Sequence, residues 1–399
     1  MRLTEFRRAG HTPSLVAALV HFDISFMAWV ILGALGAYIA EDLSLSASAK
    51  GLLVAVPLLS AAVFRLLLGP LGDRFGPKRV GSISMAIVTL PLLWGWLGAS
   101  SYTPLLGVGV LLGVAGASFA ISLPLASRWY PPRYQGLAMG IAGAGNSGTV
   151  ITTLLAPRLA EQIGWHAVMG VALIPVSLAL VAFLLLAKEP PAPATPLTRA
   201  AIAETLRERD AWRLCGMYAV TFGSFVGLAS FLPIYFHDEY GLSKVDAATL
   251  TAVGAAFGSF VRPLGGHLAD RFGGTAVLTG VYGIAGALLL FVSAIPPLGA
   301  AAVAFPLTMA ALGTGNGAVF QLVGLRFADR IGVLTGLVGA AGGVGGFFLP
   351  TLLGLTKDLA GSYGVGLAII AGVTTSALIA VLLVRGAWQR SWAPAGVQV

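Results

Sequence analysis

Two stretches of the chain repeat one another: FRLLLGPLGDRFG at residues 64–76 and VRPLGGHLADRFG at residues 261–273. Each copy lies at the end of a long apolar run, so each arginine falls inside a hydrophobic segment, and the Asp-Arg pair marks where the chain leaves it. The repeat predicts two homologous halves. Six residue pairs lie 197 positions apart: Arg65 and Arg262, Gly69 and Gly266, Leu71 and Leu268, Asp73 and Asp270, Arg74 and Arg271, and Gly76 and Gly273.

The depth of the two arginines points to a ligand. Arg65 precedes Asp73 by eight residues, which is about 12 Å of helix. In a hydrocarbon layer about 30 Å thick, both Arg65 and Arg262 then lie near mid-depth. A buried arginine costs at least about 2.5 kcal/mol on insertion scales. Two such residues at matched depths predict that they bind an anion there.

The composition is that of a membrane protein. The chain is 57% hydrophobic and 10% charged, whereas a soluble domain has about 25% charged residues. The apolar runs lack the alternating period of a membrane barrel, which predicts helices. The expected fold class is therefore all-α, with twelve transmembrane helices in two pseudo-symmetric six-helix bundles. The runs are placed at 14–40, 51–69, 79–99, 103–124, 136–156, 166–187, 212–236, 247–267, 275–294, 299–322, 333–354 and 363–385.

The net charge of +8 follows the topology of the chain. With the amino terminus assigned to the cytoplasm, 18 of the 24 lysines and arginines fall in cytoplasmic segments and four on the opposite side. This asymmetry is typical of the positive-inside rule. It predicts a multi-pass protein of the cytoplasmic membrane with both termini inside, surrounded by lipid, and it explains the basic charge without nucleic acid.

A polar stretch divides the chain. It runs from Lys188 to about Arg213 and opens with prolines, which predict a stiff extended spacer. A short amphipathic helix is expected over about 200–210. The predicted domains are 1–187, a cytoplasmic linker at 188–211, and 212–399. The prolines are Pro190, Pro191, Pro193 and Pro196.

The motifs resemble those of a known family. The first copy of the repeat, followed by Lys78 and Arg79, is similar to the signature loop of the major facilitator superfamily; Gly274 and Thr275 replace this basic pair in the second copy. Two glycine-rich stretches resemble the paired signatures of the nitrate/nitrite porters within that superfamily. Their glycines are Gly136, Gly140, Gly143, Gly145 and Gly148, and Gly336, Gly339, Gly342, Gly343, Gly345 and Gly346.

The resemblance covers essentially all twelve spans and implies a function. It implies transport of nitrate and nitrite by rocking of the two halves around a mid-depth site, without a cofactor, a metal or an enzymatic reaction. The chain is expected to act as a monomer. The loop residues Asp73, Arg74, Asp270 and Arg271 are expected to act in gating rather than in binding.

The expected substrate residues combine charge and aromatic rings. Two planar guanidinium forks suit a small planar oxyanion; the alternative is that each arginine pairs with a buried carboxylate, and only Asp23 lies inside a span. The resemblance implies that aromatic rings close over the anion and that an asparagine contacts it. The alternatives are core packing for the rings and an interhelical hydrogen bond for the amide. These residues are Phe26, Phe119, Tyr218, Phe222 and Asn146.

Asp23 is the candidate for proton coupling. It lies about 13 Å into the first helix, and carboxylates at such depths often carry protons in transporters. If the anion takes over an arginine that had neutralised Asp23, proton uptake would be coupled to anion binding. This favours nitrate/proton symport. The alternatives are a fixed structural role for Asp23 with nitrate/nitrite exchange, transport of another small anion, or a non-transporting anion sensor.

Overall fold

Helices make up all the regular secondary structure in the part of the chain that the computed structural model describes, residues 3–191, 199–327 and 330–392. In the first half a 3-10 helix, Ala144–Ser147, separates α9 from α10. The α-helices of this half are α1 Leu3–Ala9, α2 Thr12–Trp29, α3 Ile31–Ala34, α4 Gly36–Asp42, α5 Ala47–Phe75, α6 Pro77–Leu97, α7 Tyr102–Gly116, α8 Phe119–Ser127, α9 Pro132–Gly143, α10 Gly148–Ile163 and α11 Trp165–Leu186.

The second half has the same plan. A short helix precedes six spans, as α1 precedes the spans of the first half. The helices are α12 Arg199–Arg207, α13 Arg209–Tyr240, α14 Lys244–Phe260, α15 Arg262–Phe272, α16 Gly274–Ser293, α17 Leu298–Arg326, α18 Ile331–Ala360 and α19 Tyr363–Ser391. The predicted helix over about 200–210 is thus present as α12, whereas Pro193 and Pro196 of the predicted spacer lie outside the described residues.

Twelve membrane crossings follow from these helices. Ten helical stretches of the described chain are long and apolar enough to cross a membrane unaided. The fifth and eighth crossings are not among the ten because each is interrupted, the fifth at the 3-10 helix and the eighth at Val261. With both included, the twelve-helix fold predicted from the hydropathy is confirmed.

Several helices are longer than the apolar runs that predicted them. The run at 51–69 is the centre of α5, and the run at 212–236 is the centre of α13. Hydropathy detects only the part of a helix that lies in the hydrocarbon, while its polar end turns are helical as well. The run at 14–40 differs in another way, since breaks at Val30 and Leu35 divide it into three helices.

The repeated stretches have the same backbone where they end. Gly76 has φ 91° and ψ 137°, and Gly273 has φ 90° and ψ 137°. A positive φ of this kind strains any residue with a Cβ, which explains the glycine in both copies. The copies differ at their arginines: Arg65 lies inside α5, but Arg262 begins α15, because Pro263 has no N–H for a continuous helix.

The two halves are joined by charged contacts at the end of the bundle remote from the termini. At the other end, the ion pairs among the described residues stay within one half or involve the segment that precedes α13. The structure is therefore closed at the remote end. The charged contacts between the halves near this end are Lys50 with Asp238 at 2.7 Å, Lys244 with Glu41, Arg158 Nη2 donating to Thr249 Oγ1 at 2.8 Å, and the Asp358 carboxylate accepting from the backbone N–H groups of Ala47 at 3.0 Å and Ser48 at 2.8 Å.

Candidate anion-binding site

Both predicted arginines and the predicted aromatic rings meet in one buried pocket between the halves. The side chains contact one another around a space too small for a water molecule. An anion can enter only if these side chains separate, so binding must change the packing at the centre of the protein. The lining residues are Phe22, Phe26, Arg65, Phe119, Tyr218, Phe222, Arg262 and Gly339.

Arg65 is held by carbonyl oxygens. It is 2% exposed. Its Nε and Nη2 donate to the Gly116 carbonyl at 3.0 and 2.9 Å, and its Nη1 donates to the Gly339 carbonyl of the other half at 2.6 Å. The rings of Trp29 and Phe222 both lie 5.3 Å from the guanidinium carbon. No carboxylate of the described residues lies within 4.0 Å of Arg65, so its charge is solvated by dipoles and ring faces only.

Arg262 is bound less completely. It is half-buried, and its Nη2 donates to the Tyr218 hydroxyl at 3.2 Å. Its guanidinium carbon lies 5.9 Å from the ring centre of Phe119 and 5.5 Å from that of Phe320. No acidic residue of the described ranges pairs with it either. Arg262 therefore has more unused donors than Arg65.

The aromatic rings form flat walls. Tyr218 and Phe222 are stacked, with ring centres 5.1 Å apart and planes at 4° to each other, on one face of α13 because they lie four residues apart. Phe22 packs edge-on against Phe26 at 4.3 Å and against Phe119 at 5.8 Å. Planar walls of this kind, with a guanidinium from each half, match a flat anion in shape and charge.

Comparison with known proteins identifies the family. The family model described as Major Facilitator Superfamily matches residues 17–350. A Mycobacterium tuberculosis (strain H37Rv) protein named "Probable nitrate/nitrite transporter NarK2" is 37% identical over 376 residues, which cover 90% of this chain and 93% of that protein. The chain belongs to the nitrate/nitrite porters of the major facilitator superfamily. This family was the one suggested by the glycine signatures.

One further relative and one solved structure are similar to this chain. The "Nitrite extrusion protein" of Bacillus subtilis (strain 168) is 32% identical over 360 residues, covering 90% of each chain. The crystal structure of a bacterial homologue of the human lysosomal transporter Spinster superimposes with a TM-score of 0.73 at 19% identity, covering 96% of this chain and 98% of that one. At this identity, the second likeness concerns the fold alone.

Two glycines of the second signature lie against the pocket: Gly339 lines it, and Gly342 packs on two of its rings. A Cβ on Gly342 would meet the rings of Tyr218 and Phe222 at 2.8 Å, so the glycine lets α18 approach both rings. Gly345 packs on the backbone of Ala219. At Gly143 the surroundings are open, since a Cβ there would meet nothing within 4 Å. Gly143 ends α9 directly before the 3-10 helix of the fifth crossing.

Asp23 does not have the partner that was expected. Its Oδ1 accepts a hydrogen bond from Ser147 Oγ at 2.7 Å, and no arginine of the described residues lies within 4.0 Å. The carboxylate therefore faces the 3-10 helix of the fifth crossing, to which Ser147 belongs. The expected handover of an arginine from Asp23 to the anion therefore has no direct counterpart in this structure.

Asn146 also bonds outside the pocket. Its Nδ2 donates to Ser259 Oγ at 3.0 Å across the two halves, and its Oδ1 has no hydrogen-bond partner among the described residues. It is not among the lining residues. The interhelical hydrogen bond is thus observed, and contact between Asn146 and the substrate stays a prediction.

The signature-loop residues were expected to connect the halves. Asp73 instead pairs with Arg128 of its own half, and Asp270 is exposed without an ion pair among the described residues. Arg74 and Arg271 lie over the neighbouring rings at 5.1 and 5.2 Å. Their gating role stays a prediction, since it concerns the state in which this end is closed.

Several groups that contact the two arginines were not predicted from the sequence. Trp29 and Phe320 flank the two guanidinium groups, and the carbonyls of Gly116 and Gly339 bind Arg65. Trp29 lies three residues after Phe26 on the same helix face, which was a usable signal. The backbone acceptors leave no signal in side-chain identity.

Proposed function

We propose that this protein carries nitrate and nitrite across the membrane by alternating access, with the anion bound between Arg65 and Arg262. It is a transporter rather than an enzyme, as members of its family are. The observation that carries the proposal is the pairing of two unneutralised arginines, one from each half, in a mid-depth pocket with flat aromatic walls.

The chemistry of the pocket favours a small planar monovalent oxyanion. Each guanidinium presents a rigid fork of donors that bonds two oxygens at once. The stacked pair of Tyr218 and Phe222 gives a planar surface next to both cations. A multiply charged organophosphate would need more cations than the two that line this pocket. Nitrate and nitrite, which appear in the names of the relatives, fit this description.

Binding is linked to movement through Arg65. Its Nη1 bond to the Gly339 carbonyl joins α5 of one half to α18 of the other. An anion oxygen is a stronger acceptor for a guanidinium than a neutral carbonyl. The bound anion therefore replaces Gly339 as the partner of Arg65 and removes this connection. The ion pairs at the remote end can then break as the halves rock.

This arrangement favours exchange of one anion for another. Without an anion, two guanidinium charges remain in a medium of low dielectric constant with no carboxylate partner, which opposes rearrangement of the empty protein. Proton symport is the second candidate, since Asp23 is a half-buried carboxylate in the first span. Its bond to Ser147 rather than to an arginine gives symport less support.

The same proposal includes location and organisation. The excess of lysine and arginine on one side supports the cytoplasmic membrane, with both termini inside and the closed end outside. Residues 1–187 and 212–399 are the two rocking bundles, and 188–211 is the cytoplasmic linker. In this proposal a single chain is the transporting unit.

Transport by purified protein in proteoliposomes tests the proposal. Vesicles contain nitrite, chloride or no permeant anion, and nitrate uptake is followed with and without an inward proton gradient. We expect uptake only into vesicles that contain nitrite, independent of the gradient. Gradient-driven uptake into chloride vesicles would show proton symport and contradict exchange. Absence of uptake under all conditions would contradict nitrate transport.

A further inference from the structure

A fully buried histidine connects two helices that carry pocket rings. His21 on α2 has its Nδ1 2.8 Å from Ser122 Oγ on α8 and its Nε2 3.3 Å from the Gly81 carbonyl on α6. A carbonyl can only accept, so Nε2 carries a proton, and in the neutral ring Nδ1 then accepts from the Ser122 hydroxyl. The two contacts thus select one tautomer of the neutral ring, held between three helices.

The two bonded residues are neighbours of pocket residues. His21 directly precedes Phe22, and Ser122 lies three residues after Phe119, one turn along α8. The rings of Phe22 and Phe119 meet at 5.8 Å with planes 60° apart. The hydrogen bond from Ser122 to His21 therefore fixes the backbone of both helices next to the place where their rings touch.

Both helices need such a connection because both are interrupted. The nine residues of α8 are separated from α7 by a break at Ala117 and Ser118, and α2 ends at Trp29, where a new helix begins. A short helix is not held in place by the rest of its span, so side-chain contacts must define its position. Ser122 is fully buried, and its one side-chain hydrogen bond among the described residues is to His21.

We propose that His21 and Ser122 are positioning residues for the anion pocket, holding Phe22 and Phe119 in the register that closes over the anion. The inference rests on the proposed function, because the affected quantity is the affinity for nitrate. A purely space-filling role of His21 predicts that the affinity for nitrate does not depend on its hydrogen bond. His21 also packs on the ring of Phe183 at 4.6 Å, and a space-filling ring would be replaceable by phenylalanine.

The test compares two buried serines. Ser122→Ala removes the donor to His21, whereas Ser84→Ala removes another buried hydroxyl, which donates to the Gly81 carbonyl at 2.9 Å. We expect Ser122→Ala and His21→Phe each to raise KM for nitrate about threefold to tenfold, the range for one hydrogen bond. Ser84→Ala should leave KM unchanged, and kcat should change little in all of them.

Two further variants make the test specific. His21→Asn places an amide oxygen where Nδ1 lies and should restore a KM near that of the wild type. The KM of the double variant His21→Phe/Ser122→Ala should be no higher than the higher of the two single-variant KM values, because both changes remove the same hydrogen bond.

Several results would overturn the inference. They are equal KM values for Ser122→Ala and Ser84→Ala, fold-changes in KM that multiply in the double variant, and a His21→Phe protein with a lower melting temperature but the KM of the wild type. If His21→Phe does not fold, the comparison of the two serines still decides. A wild type without nitrate binding would contradict the transport proposal instead, so the two failures are distinguishable.

Discussion

At the scale of residues, the two arginines are not equivalent. Arg65 uses three of its five N–H donors on the carbonyls of Gly116 and Gly339, while Arg262 makes one side-chain hydrogen bond among the described residues, to the Tyr218 hydroxyl. An entering anion meets more free donors on Arg262, and it gains the Nη1 donor that the Gly339 carbonyl holds only after that bond breaks. Both arginines bind the anion, and the bond of Arg65 to Gly339 links this binding to movement.

The Tyr218 hydroxyl should orient Arg262. Tyr218→Phe keeps the stacked ring but removes the acceptor 3.2 Å from Nη2. We expect the Kd for nitrate, measured by titration calorimetry, to rise about threefold to tenfold. Tyr240→Phe is the matched control, since its hydroxyl donates to the Pro296 carbonyl at 2.7 Å, at the remote end of the bundle. Equal Kd values for the two variants would contradict this role.

Asp23→Asn separates the two coupling modes. The amide oxygen still accepts from Ser147 Oγ, so the contact between α2 and the 3-10 helix is retained. We expect nitrate–nitrite counterflow to continue at a near-normal rate in this variant. The opposite view, proton symport through Asp23, requires gradient-driven nitrate accumulation in the wild type and its loss in Asp23→Asn.

At the scale of elements, the interrupted helices explain what the sequence could not predict. The repeat, the twelve crossings and the two arginines could be predicted from apolar length and spacing, and the four pocket rings were implied by the resemblance to the porters. The hydrogen-bond partner of Asp23 could not be predicted, because it depends on the rotation of α2 against the fifth crossing. The glycine signatures likewise do not tell Gly143, which faces open space, from Gly345, which packs on the backbone of Ala219.

The fifth crossing offers a matched pair of glycines. A Cβ on Gly148 would overlap the carbonyl of Asp23, which is backbone and cannot move aside, whereas a Cβ on Gly143 would meet nothing within 4 Å. We expect Gly148→Ala to lower the melting temperature by several degrees and to reduce nitrate exchange severely. Gly143→Ala should remain near the wild type in melting temperature. Similar melting curves for the two variants would contradict the packing described here.

At the scale of the whole molecule, charges at the remote end hold this state closed. Lys50 pairs with Asp238 of the other half at 2.7 Å, while Lys357 pairs with Glu239 of its own half at 2.9 Å. The two lysines provide a comparison between a contact that must break during rocking and one that need not.

Removal of the first pair should open the remote end. Spin labels at Ser101→Cys and Ala294→Cys, in a Cys215→Ala background, report the distance between the halves there. We expect Lys50→Gln to increase the population at long distance and Lys357→Gln to leave the distribution unchanged. A shift of the same size in both variants would show that charge alone, and not the connection between halves, determines closure.

The central claim is that Arg65 and Arg262 bind the anion through their guanidinium forks, and equilibrium binding of nitrate to the purified protein tests it most directly. The variants are Arg65→Lys, Arg262→Lys and, as control, Arg158→Lys, whose half-buried guanidinium donates to Thr249 Oγ1 outside the pocket. Lysine keeps the charge and loses the planar fork. We predict at least a tenfold weaker Kd for Arg65→Lys and Arg262→Lys and an unchanged Kd for Arg158→Lys. Normal binding by either pocket variant would contradict the account.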